Sequence, residues 1–468
     1  MASHGALIRM VATGAQDEYF AKLPEALSIS DADAKVVVTN GELTIDNSTV
    51  LLTKRAAVVN KYRLSKDTTS VGLLRTSDYI DKILLQFPEF QKIFDLESEN
   101  DTDINGICLD AVEYVRLLIG GIVANQLDGP ALLAYLNLYE SHQLANIRMS
   151  GIIPLSLLYG NGISLVTLQF HEVRLSAKFN NDLITNVNNC NTKMLKEFPT
   201  TINKICDITG FTRDLANIMF AYISNLPEKL LNCLYNVPHE FIKDKYLGGN
   251  PDPHMNIICN GQLLDMDVRS KLACSRLVSP FLCSQTMTVS IAAAAPDNKS
   301  SKILFKQRYV LPFNHLVCQV FYYVSGTKGD SRESGAPGST SGRREILDLI
   351  NCSQLLFNNT LINEGLTSKN DTLKMDKVIH DILIPKDPIH TITFANPMLF
   401  KSRQDFVNYS KQCSNFSRID KIDLSIDYDF STIINTVNTY SDLKLHIGVF
   451  SLNSLSYREG MGGLTFVN

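Results

Sequence analysis

Residues 422–430 read IDLSIDYDF, and the period of that stretch decides the fold class. Ile422, Leu424, Ile426, Tyr428 and Phe430 alternate with Asp423, Ser425, Asp427 and Asp429. Successive side chains of an extended backbone point to opposite faces, so the alternation predicts a strand with one face to bury and one to leave in water. The signature recurs along the chain. Leu443, Leu445, Ile447 and Val449 carry it, as do Val173, Leu175, Ala177 and Phe179. Ile303, Phe305, Tyr309, Leu311 and Phe313 carry it again, with Lys306 and Arg308 on the other face. Val36–Val38 and the pair Leu43, Ile45 flank Asn40-Gly41, a dipeptide that adopts positive φ cheaply, which predicts a hairpin with a type I′ turn. Many short strands separated by turn signals predict β-sandwiches or barrels.

Two regions break the pattern. Phe211, Leu215, Ile218, Met219, Tyr222 and Leu226 recur at helical spacing. Asn225 then precedes Pro227 and Glu228 as an N-cap, so a second helix is predicted from Pro227 to Tyr235. Within 107–145, Ala111–Leu118 and Ala131–Tyr139 also read as helices. Residues 328–344, KGDSRESGAPGSTSGRR, hold almost nothing apolar and read as a mobile surface loop between strands.

The composition agrees with a large packed protein. The chain has 468 residues, 45% of them hydrophobic and 20% charged, enough for two or three cores. Lys and Arg number 44 against 48 Asp and Glu, so no overall basic footprint for nucleic acid exists. Of the 10 cysteines none forms a CxxC or stands at zinc spacing from a His, which reads as reduced, buried thiols of a cytoplasmic setting. The apolar stretches Leu117–Tyr139 and Ile152–Phe170 are interrupted by Asn125, Asp128, Pro130 and by Pro154, Gly160, Gly162. With no apolar run resembling a signal peptide in 1–20, a soluble chain is expected.

Chemistry-bearing motifs are few. His171 and Glu172 are adjacent, so on a strand they point apart and do not converge on one substrate atom. Asp423, Asp427 and Asp429, with Asp420 nearby, share a strand face; a calcium site is one reading, a solvated face the other. Gly460-Met461-Gly462-Gly463 lacks the Lys-Ser/Thr of a phosphate loop, and Ile119-Gly120-Gly121 lacks dinucleotide-binding spacing. Both read as strand ends or turns. No GxSxG or HExxH occurs, and the 9 His include no HxH pair of the kind a metal-binding barrel uses. No catalytic, cofactor-binding or metal residue is assigned, and no cofactor.

Eight segments, in order, resemble the major capsid proteins of nucleocytoplasmic large DNA viruses. They are GALIRMVATGAQDEYF (5–20), LLRTSDYIDKILLQFPE (73–89), IGGIVANQLDGPALLAYLNLYES (119–141) and IIPLSLLYGNGISLVTLQFHEVRLSAKF (152–179). QLLDMDVRSKLACS (262–275), YVLPFNHLVCQVFYYV (309–324), CSNFSRIDKIDLSIDYD (413–429) and GVFSLNSLSYREGMGGLTFVN (448–468) complete the series. The third resembles the family's Ile-Gly-Gly strand followed by a helix, and the fifth its crossover between rolls, here keeping Arg269 and Lys271 without the family's run of arginines. The chain resembles a divergent member.

That resemblance implies a mainly β double jelly roll, two eight-stranded antiparallel sandwiches side by side. It implies an N-terminal arm (1–24), a first roll (25–275) with a helical insertion at 181–252, and a second roll (276–468) with the loop at 328–344. It implies a non-enzymatic shell subunit that forms pseudo-hexagonal homotrimeric capsomers of an icosahedral capsid. A minor capsid paralogue and a glycan-binding attachment protein are the alternatives on the same scaffold. Implied partners are the chain itself, neighbouring capsomers, minor capsid and penton proteins and an internal viral membrane, with no direct nucleic-acid binding. The implied location is the virion, assembled in host cytoplasm. On this reading glycines 460, 462 and 463 serve close backbone approach, and Asn314-His315 makes a tight turn in which Asn tolerates positive φ.

Overall fold

The computed structural model describes residues 15–21, 35–39, 42–46, 57–64, 69–86, 106–140, 144, 147, 151–159, 162–179, 255–264, 266–274, 277–291, 304–328, 344–363, 387–400, 403–430, 440–458 and 460–466. In chain order these form α1 (Ala15–Ala21), β1 (Lys35–Thr39), β2 (Glu42–Asp46), β3 (Ala57–Leu64), β4 (Ser70–Gly72), β5 (Tyr79–Gln86), β6 (Val112–Ile119), β7 (Ile122–Asp128), α2 (Gly129–Tyr139), β8 (Ile152–Pro154), α3 (Ser156–Tyr159), β9 (Ile163–Ser164) and β10 (Val173–Phe179). There follow β11 (Met255–Gln262), α4 (Met266–Cys274), β12 (Leu277–Ser290), β13 (Leu304–Val310), β14 (Leu316–Lys328), β15 (Arg344–Leu347), β16 (Ile350–Phe357), β17 (Thr360–Asn363), β18 (His390–Thr393), α5 (Arg403–Tyr409), β19 (Ser414–Asn415), β20 (Ile422–Asp429), β21 (Tyr440–Arg458) and β22 (Met461–Leu464). The predicted helices within 205–247 and all but the ends of the 328–344 loop lie outside the described residues.

Four antiparallel sheets make two sandwiches. The first pairs β4-β10-β6-β7 with β3-β11-β5-β8, β9 adding to β5. The second pairs β12-β21-β14-β15, extended by β18, β19 and β22, with β13-β20-β16-β17. The expected double jelly roll is therefore present, and α4 joins the last strand of the first sandwich to the first strand of the second. The predicted hairpin is present as β1 and β2, with Thr39 opposite Glu42.

The alternation at 422–430 does what its period requires. Leu424, Ile426 and Tyr428 have no exposed surface and join Val320, Tyr322, Val324, Ile447 and Val449 in the interior of the second sandwich. The opposite face departs from expectation. Asp423 is 0% exposed, so this face is not simply solvated. Lys306 stands across from Asp427 and Arg308 across from Ser425 on β13. Arg308 Nη2 reaches Asp423 Oδ2 at 2.5 Å, Lys421 Nζ lies 3.4 Å from the same oxygen, and Lys306 Nζ lies 3.4 Å from Asp427. A buried carboxylate persists because cations on adjacent backbone cover it.

Three local expectations are corrected. Ala111–Leu118 is not a helix: one π-type turn (Gly106–Ala111) runs into strand β6, whose residues pair with β7 and β10. Tertiary pairing outranks a short ambiguous apolar run. The hairpin β6–β7 turns at Gly120-Gly121, both at positive φ (59° and 85°), as the glycine pair predicted. Second, positive φ falls on His315 (φ 73°) rather than Asn314. His315 is held there by its N–H donating to Ser417 Oγ, its carbonyl accepting from Phe416 N, and its Nδ1 2.9 Å from Gln16 Nε2. Third, close approach holds at Gly460 and Gly462, where a Cβ would stand 2.6 Å from the Phe170 ring and 2.4 Å from Leu168, but a Cβ at Gly463 would meet nothing.

Candidate functional site

Two regions rich in large apolar side chains stand out: a buried seam joining the sandwiches and an exposed apolar rim at one end of the first. The seam begins with α2. Asp128 precedes it and Pro130 opens its first turn, where a missing N–H costs nothing. Every residue of α2 except Pro130 is buried. A helix apolar all round needs neighbours on every side, and α2 has them: the first sandwich on one face and the sheet β12-β21-β14-β15 on the other.

Strand β14 makes the second contact possible. Its run LVCQVFYYV (316–324) is buried on both faces and accordingly lacks polar alternation. Val320, Tyr322 and Val324 point into the second sandwich, whereas Phe321 and Tyr323 belong to the core shared with the first. A register shift between Val317 and Gln319 turns Cys318 and Gln319 both toward the seam, as a bulge does.

Across the seam Phe450 meets Tyr135 at 6.2 Å and Tyr139 at 6.0 Å between ring centroids, and on its own sheet it meets Phe321 at 4.8 Å. Each such pair adds about 0.5–1.5 kcal/mol beyond area burial. Gly448 on β21 leaves room for this layer, since a Cβ there would stand 2.2 Å from Phe321 Cζ. Polar atoms are matched as well. Tyr139 donates to Gln319 Oε1, and Gln319 Nε2 donates to Thr393 Oγ1 at 2.8 Å. The Tyr323 hydroxyl donates to the Pro130 carbonyl at 3.2 Å. Edge strands β7 and β12 run side by side, with Ser284 Oγ donating to the Gln126 carbonyl and Thr286 Oγ1 to Asp128 Oδ2 at 2.7 Å. His446 closes the seam's far end, fully buried between Thr288 Oγ1 (3.0 Å) and Ser325 Oγ (2.8 Å) with its ring on Tyr323. Burial, with Arg344 and Lys444 nearby, pushes its pKa down from 6.5 to about 3.

The rim is the opposite case. Leu74, Ile122, Phe170 and Met461 are all exposed, Phe170 at 76%. Phe170 N–H donates to the Gly460 carbonyl, β22 comes against β7, and Arg75 Nη2 donates to the Leu168 and His171 carbonyls. Beside Phe170 lies a cleft of about 310 Å³ lined by Arg75, His171 and Glu172 and by the buried Leu73, Leu165, Leu168 and Val173.

Of the flagged residues, His171 and Glu172 fall at this rim, and Asp423, Asp427 and Asp429 lie apart from them on β20. His171 and Glu172 sit on a bend just before β10, not on the strand itself. His171 Nδ1 lies 2.9 Å from the Gly462 carbonyl, while Glu172 pairs with Arg174 at 2.9 Å. Among the described residues no three His, Cys, Asp or Glu side chains are placed to hold a metal ion. Cys108, Cys259, Cys283, Cys318 and Cys413 are buried; burial pushes the Cys283 thiol up to about 11 and the Cys259 thiol up to about 12. No described helix is long and apolar enough to cross a membrane.

Sequence reading passed over the seam itself. Its signals were present: a helix without a polar face at 131–139 and a strand at 316–324 that is apolar except at Gln319.

No protein-family model and no curated protein matches the chain by sequence. Solved structures do match by shape. The crystal structure of PBCV-1 VP54, fitted into a reconstruction of the virophage Sputnik, superposes with a TM-score of 0.53 at 13% identity, covering 90% of this chain and 99% of that one. A quasi-atomic model of the PBCV-1 virus capsid gives a TM-score of 0.53 at 14% identity with the same coverage. The likeness is one of fold, and it agrees with the family resemblance of the eight segments.

Proposed function

We propose that this chain is a structural subunit of an icosahedral virus shell, working as a homotrimeric capsomer. Three two-lobed subunits around an axis present six lobes, which is the shape that tiles a hexagonal lattice. The observation that carries this reading is the seam: two sandwiches locked edge to edge through a buried helix form one rigid, two-lobed block. The same arrangement extends over 90% of the chain in its likeness to a virus capsid model. We assign the first lobe to 25–275 and the second to 276–468, with minor capsid and penton proteins as further partners in the virion. Closed symmetry favours large apolar subunit contacts, often above about 2,000 Å².

Light scattering of the purified protein, followed by counting its copies in purified particles, tests the reading. A stable trimer and a copy number in the hundreds or above are expected. A chain that stays monomeric under assembly conditions and is missing from particles overturns it.

A further inference from the structure

Two cysteines face each other across β14 and the segment leading into β19. Antiparallel pairing sets Leu316 against Asn415 and Val317 against Ser414, and Phe416 N–H donates to the His315 carbonyl at 2.9 Å. In such a ladder hydrogen-bonded and non-hydrogen-bonded pairs alternate. His315–Phe416 and Val317–Ser414 are the bonded pairs, so the next step places Cys318 against Cys413 at a non-bonded position. The surrounding bonds agree. The Cys318 carbonyl accepts from Phe394 N and Ala395 N, and Cys413 N–H donates to the Ser410 carbonyl, so neither backbone group reaches the other residue.

Non-bonded pairs hold their Cα atoms about 4.5 Å apart, inside the roughly 4.4–6.8 Å span that a disulfide bridges. The two side chains also share a face. Val317 points into the second sandwich, whereas Cys318 and Cys413 both belong to the core shared with the first. Burial pushes the Cys318 thiol well above its ordinary range, and the Cys413 thiol is the next influence on it, ahead of Cys283. Cys283 is no rival partner. It lies on β12 opposite Ser451, which in turn stands opposite Val317, so two strand spacings, about 9.5 Å, separate it from β14.

We infer that Cys318 and Cys413 form a cross-strand disulfide when the chain passes from a reducing to an oxidising medium. The oxidant is a small disulfide such as oxidised glutathione. The Cys413 thiolate attacks one of its sulfurs, and one glutathione leaves as a thiolate. The Cys318 thiolate then attacks the Cys413 sulfur, the mixed disulfide breaks, and the second glutathione leaves. Two thiol protons and two electrons end on two glutathione thiols. Cys413 reacts first because it is 6% exposed against 0% for Cys318. In the closed fold the reaction takes hours, since a buried thiol is seldom a thiolate.

The bond ties β14 to the segment that seats α1. Asn415 Nδ2 donates to Asp17 Oδ2 at 2.6 Å, and Phe406 stacks on Phe20 at 6.4 Å between centroids. Oxidation closes a loop of roughly a hundred residues and fastens that seat to the sheet. The bond itself does not depend on the shell reading. Its timing does, because a shell subunit folds in a reducing cell and is then carried outside.

Protein purified under reductant and then incubated in oxidised glutathione tests the pairing by non-reducing peptide mass mapping. A peptide pair joining 318 to 413 is expected, with a rise of roughly 5 °C in the thermal midpoint over the reduced sample. Cys413→Ser is expected to abolish both. Should that variant fold poorly, the unchanged chain decides alone. Both thiols still alkylated by iodoacetamide after denaturation, or Cys318 joined to any other cysteine, overturns the inference. Chain from released particles, alkylated at lysis, is expected to carry the bond and chain inside producing cells to lack it; thiols that stay reduced in released particles overturn the timing. A bond in a chain that never trimerises keeps this inference and removes the shell reading, whereas a trimer without the bond does the reverse.

Discussion

The seam and the rim are both rich in large apolar side chains, yet their surroundings differ completely. At the seam Phe450, Phe321, Tyr135 and Tyr139 are buried against one another, and the polar atoms among them find partners in Gln319, Thr393 and Pro130. At the rim Phe170, Met461, Ile122 and Leu74 face outward with comparable bulk. Apolar surface inside the chain is answered by the chain; apolar surface left at an end is available to another molecule. The contrast separates residues that make the two-lobed block from residues left exposed at one end of it.

The largest effect breaks the seam. Phe450→Ala removes a ring at the centre of four, and a loss of about 3–5 kcal/mol is expected in urea unfolding. Phe170→Ala, the matching truncation at the rim, is expected to change stability by no more than about 0.5 kcal/mol. Equal losses at the two sites would erase the distinction.

Acid sharpens it next. His446 is neutral in the folded seam, with a pKa of about 3 against an ordinary 6.5. The groups acting on it are Arg344, Lys444 and Asp442, with the hydroxyls of Thr288 and Ser325 at its nitrogens. The unfolded chain therefore takes up a proton that the folded chain refuses. Stability is fully present above pH about 6.5 and falls by about 1.4 kcal/mol per unit as pH drops toward about 3. Unfolding midpoints measured from pH 7 to 4 check the slope, and His446→Gln is expected to flatten its share of it.

A smaller change tests the seam's polar matching. Tyr139→Phe leaves Gln319 Oε1 without its hydroxyl donor in a buried site, an expected cost of about 1–3 kcal/mol by denaturant titration. The least effect belongs to the rim: Met461→Ser is expected to leave stability within about 0.5 kcal/mol of the unchanged chain in urea unfolding.

Particular stretches explain how far the sequence could be read. Alternation at 173–179, 303–313, 422–430 and 443–449 located strands, because a half-buried strand writes its two faces into a period of two. Asn40-Gly41 marked a hairpin and Gly120-Gly121 a strand end or turn, because few residues adopt positive φ cheaply. Ala111–Leu118 was misread as helix, since a strand buried on one face and partly covered on the other loses its clean period. Asp423 was misread as wet, although Lys306 and Arg308 were already visible on the facing strand. What was missing was the register that brings Arg308 against Asp423, and that pairing joins residues far apart in the chain.

Alone, then, the order of residues specified a mainly β protein, its turn positions and the inward faces of several strands, all properties of neighbours a few positions apart. Folding in three dimensions settled the rest: that α2 slots beneath β21, that a one-residue bulge at Cys318 aims Gln319 across the seam, and that Phe170 stands beside an open cleft. Those depend on register and packing between segments up to hundreds of residues apart, where a single shifted residue reverses every side chain on a strand. No local pattern encodes that distance, so only the assembled sheets separate the apolar residues that close the block from those that remain open to a partner.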